Sequence, residues 1–347
     1  MINLAYSGVF LFKKEMKEIK EAISKANKII ITTHKSPDGD AIGSSLALWH
    51  YLKNMGKDVV IIVPDSFPEF LNWMEGTADI LNYDQDSKTS EGIIQEADLI
   101  FSLDYNALSR IGDLGNIIGN KECKKIVIDH HQDPTDFADY YFVDTDCCST
   151  AQLVYELIES FQEIEKINIA IGECIYCGIM TDTGSFRFPS TTSKTHRIIA
   201  KLLDLGVNGS KVHQNVYDTN TEDRLRLIGF SLTEKLKVYE KECAAYISLS
   251  KEELLKFNFK KGDTEGLVNY CLSIKGIKMA VLITEKEEGI NFSFRSKDGF
   301  FVNKIANEYF NGGGHFYAAG GRLDVSLNDA EKKVDEVIRK YANELQN

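Results

Sequence analysis

Apolar residues at Met16, Ile19, Ala22, Ile23 and Ala26 form a stripe of 3.6-residue period that predicts a helix over 13–27. The run Ile29-Ile30-Ile31-Thr32 follows at once and is short and continuously apolar, as a strand buried on both faces would be. The same reading places a helix over 41–55, strands over 59–63, 99–103 and 125–128, and a helix over 150–161. Such alternation implies a parallel, doubly wound α/β sheet.

A strongly apolar segment over 167–180 runs into the polar stretch TDTGSFRFPSTTS, and a helix over 193–205 is expected to stop at Gly206, a residue suited to a left-handed cap. Residues 210–237 are charged, compatible with helix and free of proline, whereas 244–248 and 277–284 restart a strand-rich pattern. A chain of 347 residues is about twice the usual length of one domain. The expected division is a catalytic, metal-binding domain over 1–195, a helical linker over 196–229 and a smaller α/β substrate-binding domain over 230–347, with a cleft between the two domains. No repeat of 20–50 residues and no low-complexity tract is present.

Hydrophobic residues at 43% and charged residues at 27% are values of a globular protein. The net charge of −12, from 40 Lys+Arg against 52 Asp+Glu, disfavours long duplex DNA as a partner. Seven scattered cysteines fit a reducing compartment without structural disulfides, and Cys174-x-x-Cys177 in the run ECIYCGIM reads as buried helix face. The apolar start over 4–12 is too short for a membrane helix and lacks a cleavage site, so the expectation is a cytoplasmic protein without membrane contact.

Chemistry concentrates where apolar runs end. Beyond Ile29–Thr32 come His34, Asp38 and Asp40 in one turn; 99–103 ends in Asp104; 125–128 ends in Asp129-His130-His131; and the apolar run before Thr181 ends in Asp182. Ligands of open α/β sheets bind beyond the carboxyl ends of the strands, so this placement marks a site. Imidazoles mixed with carboxylates suit divalent ions such as Mn²⁺ first, with Co²⁺, Fe²⁺ or Mg²⁺ as alternatives. Two ions bridged by a carboxylate suit in-line attack on phosphorus. Arg110, Arg187 and Arg295 are candidate phosphate clamps, and Ser149 and Thr150 stand at a helix start where they can cap the helix, hold an anion, or both.

The set His34-x-x-x-Asp38-x-Asp40, Asp104 and Asp129-His130-His131 resembles the DHH phosphoesterase superfamily, its motifs falling in the family's order over about residues 28–190. Gly312-Gly313-Gly314-His315 followed by Ala318-Ala319-Gly320-Gly321 resembles the glycine-rich signature of the DHH-associated domain. The resemblance implies His34 and Asp38 on one metal, Asp40, His130 and Asp182 on the other, and Asp104 bridging both. It also implies an orienting role for Asp129 and a phosphate-facing one for His131. Gly313, Gly314 and His315 join Arg110, Ser149, Arg187 and Arg295 as expected substrate contacts.

The lineup of one catalytic and one associated domain is similar to the short family members that degrade very short RNA and dephosphorylate 3′-phosphoadenosine 5′-phosphate (pAp). Short RNA oligonucleotides or small nucleotides are therefore the expected partners, with homodimerisation left open. The cleft between the domains would hold a phosphate at each end of a short nucleotide. Rival expectations are hydrolysis of pApA or cyclic di-AMP, a family-II pyrophosphatase, and a nucleotide-binding sensor without turnover.

Overall fold

A computed structural model describes residues 12–287 and 289–346, which divide into two compact units, 12–219 and 220–346. The division falls inside the helical stretch expected as a connector. The apolar start, Phe12 excepted, lies outside the described residues.

The first unit runs α1 (Phe12–Lys25), β1 (Lys28–Thr32), α2 (Gly39–Asn54), β2 (Asp58–Val63), β3 (Leu81–Asn82), α3 (Ser87–Gln95), β4 (Leu99–Leu103), α4 (Leu114–Asn120), β5 (Lys124–Asp129), β6 (Tyr140–Val143), α5 (Thr150–Ser160), α6 (Ile169–Asp182), α7 (Ser193–Leu205) and α8 (Gly209–Tyr217). Its strands form one six-stranded sheet, every pair parallel, in the order β3-β2-β1-β4-β5-β6. This is the doubly wound α/β architecture expected from the alternation.

The strands read as continuous apolar runs because both faces are covered. Ile29, Ile31, Phe101 and Ile128 pack against α1, α2, α5 and α6, while Ile30 and Ile100 pack on the opposite side against Ile94, Leu114 and Ile118. Strand order reverses between β1 and β4, which opens a crevice at their carboxyl ends.

The apolar run ending in Asp182 is a helix, α6, in line with the buried helix face expected for Cys174 and Cys177. Its periodicity is masked because it is apolar all round, as a helix packed on α2, α5 and α7 must be. A Cβ on Gly178 would overlap Ala151 Cβ and lie 2.8 Å from Asp40 Oδ1, so glycine is what lets α6 lie against both neighbours. All seven cysteines are free, and Cys174 and Cys177 are buried in α6. Gly206 caps α7 at φ 108°. No helix among the described residues is long and apolar enough to cross a membrane.

The second unit comprises α9 (Glu222–Phe230), β7 (Leu236–Tyr239), β8 (Ala244–Leu249), α10 (Lys251–Lys256), α11 (Leu267–Ser273), β9 (Met279–Lys286), β10 (Gly289–Ser296), α12 (Val302–Phe310), β11 (Gly313–His315), β12 (Ala318–Leu323), α13 (Leu327–Lys340) and α14 (Ala342–Gln346). Its six strands are ordered β11-β12-β10-β9-β8-β7, parallel at β8–β9 and antiparallel elsewhere. One face packs Tyr246, Val281, Phe292 and Phe294 against α12 and α13; the other packs Ile247 and Leu282 with Leu254 of α10 and Cys271 of α11.

Candidate metal centre

The first unit gathers its polar chemistry at the carboxyl ends of the strands flanking the reversal of strand order. His34 follows β1, Asp104 follows β4, and Asp129 ends β5 with His130 and His131 beyond it. Asp38 and Asp40 open α2, and Asp182 closes α6. All six expected ligands meet here. Ligand atoms of His34, Asp38 and Asp104 lie within 4.8 Å of one another, and so do those of Asp40, His130 and Asp182.

Asp104 joins the two groups. Its Oδ2 is 3.3 Å from His34 Nε2 and its Oδ1 is 3.4 Å from His130 Nε2. The backbone bends sharply to place it: Asp104 has φ 64°, a left-handed conformation that costs energy for a residue with a Cβ and that clusters at functional sites. Its N–H donates to Ile128 O at 3.0 Å, which ties the bend to β5.

Both expected ligand imidazoles are oriented by their second nitrogen. His34 Nδ1 lies 2.9 Å from Lys35 O and His130 Nδ1 lies 3.2 Å from Cys147 O. A ring N–H on Nδ1 donates to each carbonyl, which leaves Nε2 to face the carboxylates. His130 Nε2 is also 3.5 Å from Asp182 Oδ2 and 3.9 Å from Asp40 Oδ2. His34 Nε2 is 3.9 Å from Asp38 Oδ1.

The start of α5 holds two of the carboxylates. Thr150 N donates to Asp40 Oδ2 at 2.7 Å and Ala151 N to Asp40 Oδ1 at 2.8 Å, while the Thr150 hydroxyl donates to Asp104 Oδ1 at 2.9 Å. The group held at this helix N-terminus is thus the protein's own Asp40 carboxyl. Ser149 is fully buried, and its Oγ accepts from Gln152 N as the cap of α5, one of the roles open to a hydroxyl at a helix start. Sequence reasoning placed Thr150 at the helix start and missed its bond to Asp104, which nothing local in the sequence reveals.

Electrostatics fit a cation site. Burial pushes the Asp40 carboxyl up, and the neighbouring Asp104 and Asp182 push it further, well above its usual range. Burial also acts to raise Asp104, but its contacts with His130 and His34 outweigh this and hold it well below. Burial would lower His34; its contact with Asp104 and the charge of Asp38 reverse that and raise it to about 9. His130 is raised well above its ordinary value because Asp104, Asp182 and Asp40 outweigh burial. A cluster this rich in buried carboxylates calls for positive charge, which divalent ions would bring. Asp129 Oδ2 is buried with no hydrogen-bond partner, a further sign of a centre that wants a cation. The donor set of imidazole nitrogen and carboxylate oxygen suits such ions. The cluster opens on one side: Asp38 and Asp182 side chains are 45% and 28% exposed, against 3% for Asp104.

His131 stands beside the ligands. Its Nδ1 is 2.7 Å from Asp129 Oδ1, and Arg110 Nη2 lies 3.4 Å from its Nε2. Arg110 therefore belongs to the cluster. Arg187 is exposed after the turn that follows α6, its Nε donating to Gly184 O at 2.7 Å, with its guanidinium 5.9 Å from the Phe188 ring centre. In the second unit, Arg295 on β10 is half-buried and donates from Nη1 to Phe294 O at 2.9 Å. It pairs with Ala318 of β12, which pairs in turn with His315 of β11. Gly313 and Gly314 lie on the same edge strand; Gly314 has φ 140°, and a Cβ there would come within 2.6 Å of Ala318 O.

Two domain families match the chain: the N-terminal domain of the DHH family over residues 28–179 and the DHHA1 domain over residues 242–346. The bifunctional oligoribonuclease and PAP phosphatase NrnA of Bacillus subtilis is 31% identical, covering 91% of this chain and 95% of its own length. Its namesake from Thermus thermophilus is 32% identical over 90% and 89%. Among solved structures, an exopolyphosphatase-related protein from Bacteroides fragilis superposes with a TM-score of 0.91 at 41% identity, covering 96% of this chain and 98% of the other. With both domains matched in order across most of its length, the chain belongs to the DHH family of phosphoesterases and carries a DHHA1 domain after its DHH domain.

Proposed function

We propose that this protein is a two-metal phosphoester hydrolase that cleaves very short RNA oligonucleotides to mononucleotides and converts pAp to AMP. The observation that carries the reading is Asp104, whose two oxygens face two separate imidazole–carboxylate groups. The substrates follow from likeness to relatives named as oligoribonuclease and PAP phosphatase over most of both chains.

In this reading His34 and Asp38 hold one ion, Asp40, His130 and Asp182 the other, and Asp104 both, with Mn²⁺ the first choice for a nitrogen and oxygen donor set. Bound ions supply an activated water and stabilise the charge that develops on phosphorus. Asp129 holds the Nδ1–H of His131 and so fixes the ring, which turns its Nε2 edge toward Arg110 and the substrate phosphate. Arg110, beside that nitrogen, supplies donors to a non-bridging phosphate oxygen. Arg187, and Arg295, Gly313, Gly314 and His315 of the second unit, bind the rest of the nucleotide. The acidic chain favours short ligands over long duplexes, and we place it in the cytoplasm.

The test is a panel of a diribonucleotide, pAp, cyclic di-AMP and pyrophosphate given to Mn²⁺-loaded protein. Mononucleotides from the first and AMP from the second are expected, each with a higher kcat/KM than the other two compounds give. Faster turnover of cyclic di-AMP or of pyrophosphate would overturn the assignment.

A further inference from the structure

The hairpin joining β11 to β12 turns on two aromatic residues, Phe316 and Tyr317, directly after His315. Phe316 is 39% exposed, and so, at 38%, is Phe301 at the start of α12. The Phe301 ring lies 4.7 Å from Phe316 and 5.6 Å from Tyr317, centre to centre. Three aromatic rings thus meet at the surface of one small hairpin, where burial does not call for them.

The backbone holds this group firmly. Val302 N donates to Phe316 O at 2.8 Å and Ser296 N to Tyr317 O at 2.9 Å, so the hairpin tip is tied to both α12 and β10. The tip begins one residue beyond the row His315–Ala318–Arg295, in which two groups able to be cationic stand two strands apart with Ala318 between them. About 5 Å separates adjacent strands and about 3.3 Å adjacent residues along one, so rings and cationic groups fall within the span of a single nucleotide. Aromatic faces beside a row that carries Arg295 and His315 have the chemistry of a stacking platform for nucleobases, which tolerates any base because every base has a π face.

We propose that Phe316, seated on Phe301 and flanked by Tyr317, stacks on a base of the bound oligonucleotide and so selects ligands carrying a nucleobase over simple phosphate esters. The proposal rests on the nucleotide reading of the protein and adds to it the element that engages the base.

Steady-state kinetics with a diribonucleotide and with its abasic analogue test this in Mn²⁺-loaded wild type, Phe316→Ala, Phe301→Ala and Phe316→Trp. Phe316→Ala is expected to raise KM for the dinucleotide by about 5- to 100-fold with kcat little changed. The abasic analogue should show the same KM in both proteins, Phe301→Ala should give a smaller rise, and Phe316→Trp should restore the wild-type value. An equal KM for the dinucleotide in wild type and Phe316→Ala, or an equal rise for both substrates, would overturn the proposal. Titration of a dinucleotide containing 2-aminopurine provides a readout independent of turnover, since stacking quenches its fluorescence. Quenching by wild type and its loss in Phe316→Ala support the platform even if no nucleotide is hydrolysed, an outcome that would sink the proposed function alone. Absence of quenching by wild type would sink the platform.

Discussion

In the first unit β1, β4 and β5 run in the same direction, so the residues that follow them arrive at one end of the sheet, and His34, Asp104 and His130 meet although nearly a hundred residues separate the first from the last. In the second unit most neighbours are antiparallel, successive strands finish at opposite ends, and Arg295 and His315 share a face through the cross-strand row at Ala318. Parallel strands build a deep, buried cluster in which each carboxylate answers to another group. The mixed sheet lays its polar residues along a surface that a ligand can cover. Substitutions in the first region should therefore act on the chemical step and on metal affinity, and those in the second on substrate affinity.

The sharpest break is expected at Asp104. Asp104→Ala removes the one carboxylate shared by both groups and leaves His34 and His130 facing a gap. Loss of several kcal/mol of charge stabilisation should lower kcat by about 10³-fold or more, measured at saturating dinucleotide. Activity close to wild type would remove the bridging role.

Next in size is Gly178→Val, which probes the close approach of α6 to α2 and α5 and, through it, the seat of Asp40. The added side chain has no space beside Ala151 and Asp40, and overpacking of this kind costs about 3 kcal/mol. A lowered Tm with weakened Mn²⁺ binding is the expected result; an unchanged Tm would mean that the helix contact is looser than its geometry.

Much of this was legible in the sequence because parallel strands advertise themselves. The runs at Ile29–Ile31 and 99–103 are apolar without alternation, and each ends abruptly in the residues that carry the chemistry. Asp182 obeys the same rule at the end of a helix: α6 is buried all round and shows no stripe, and Cys174 and Cys177 lie on the buried helix face that the run ECIYCGIM implies. Thr150 escaped because its partner, Asp104, is 46 residues away and only the fold brings a helix start beneath it. Ser149 shows the complementary case: a hydroxyl at a helix start is suited both to an anion and to its own backbone, and in the fold it caps α5.

Thr150→Val separates these two roles of the α5 start. Valine keeps the shape and the backbone N–H that holds Asp40, and deletes only the hydroxyl on Asp104 Oδ1. Mn²⁺ affinity measured by calorimetry should fall about 10- to 100-fold, as for other groups that orient a metal ligand. Arg295→Ala then gives the contrast from the second region: a rise of about 10-fold in dinucleotide KM, with kcat and Mn²⁺ affinity near wild type. If Arg295→Ala instead lowers kcat while KM stays fixed, the division of labour between the two sheets fails.

The smallest effect tests whether a carboxylate held by cations is enough to mark a site in the first unit. Glu163, just beyond α5, is bonded to Lys20 and Lys166, each at 2.7 Å, and to the Tyr51 hydroxyl. Burial acts to raise its pKa, but these three partners outweigh burial and lower it to about 2. A carboxyl depressed in the folded state adds stability that is full above its unfolded pKa of about 4.3 and is lost as pH falls toward 2. Glu163→Gln should therefore cost about 1 kcal/mol at pH 7, and the cost should vanish by about pH 2, with kcat unaffected throughout. Asp40 shows the opposite sign: burial raises it and the neighbouring carboxylates of Asp104 and Asp182 raise it further, where the lysines beside Glu163 overcome burial. A pH-independent difference in stability would show that Glu163 acts through packing, and a fall in kcat would show that surplus negative charge is not what separates the metal centre from an ordinary ion pair.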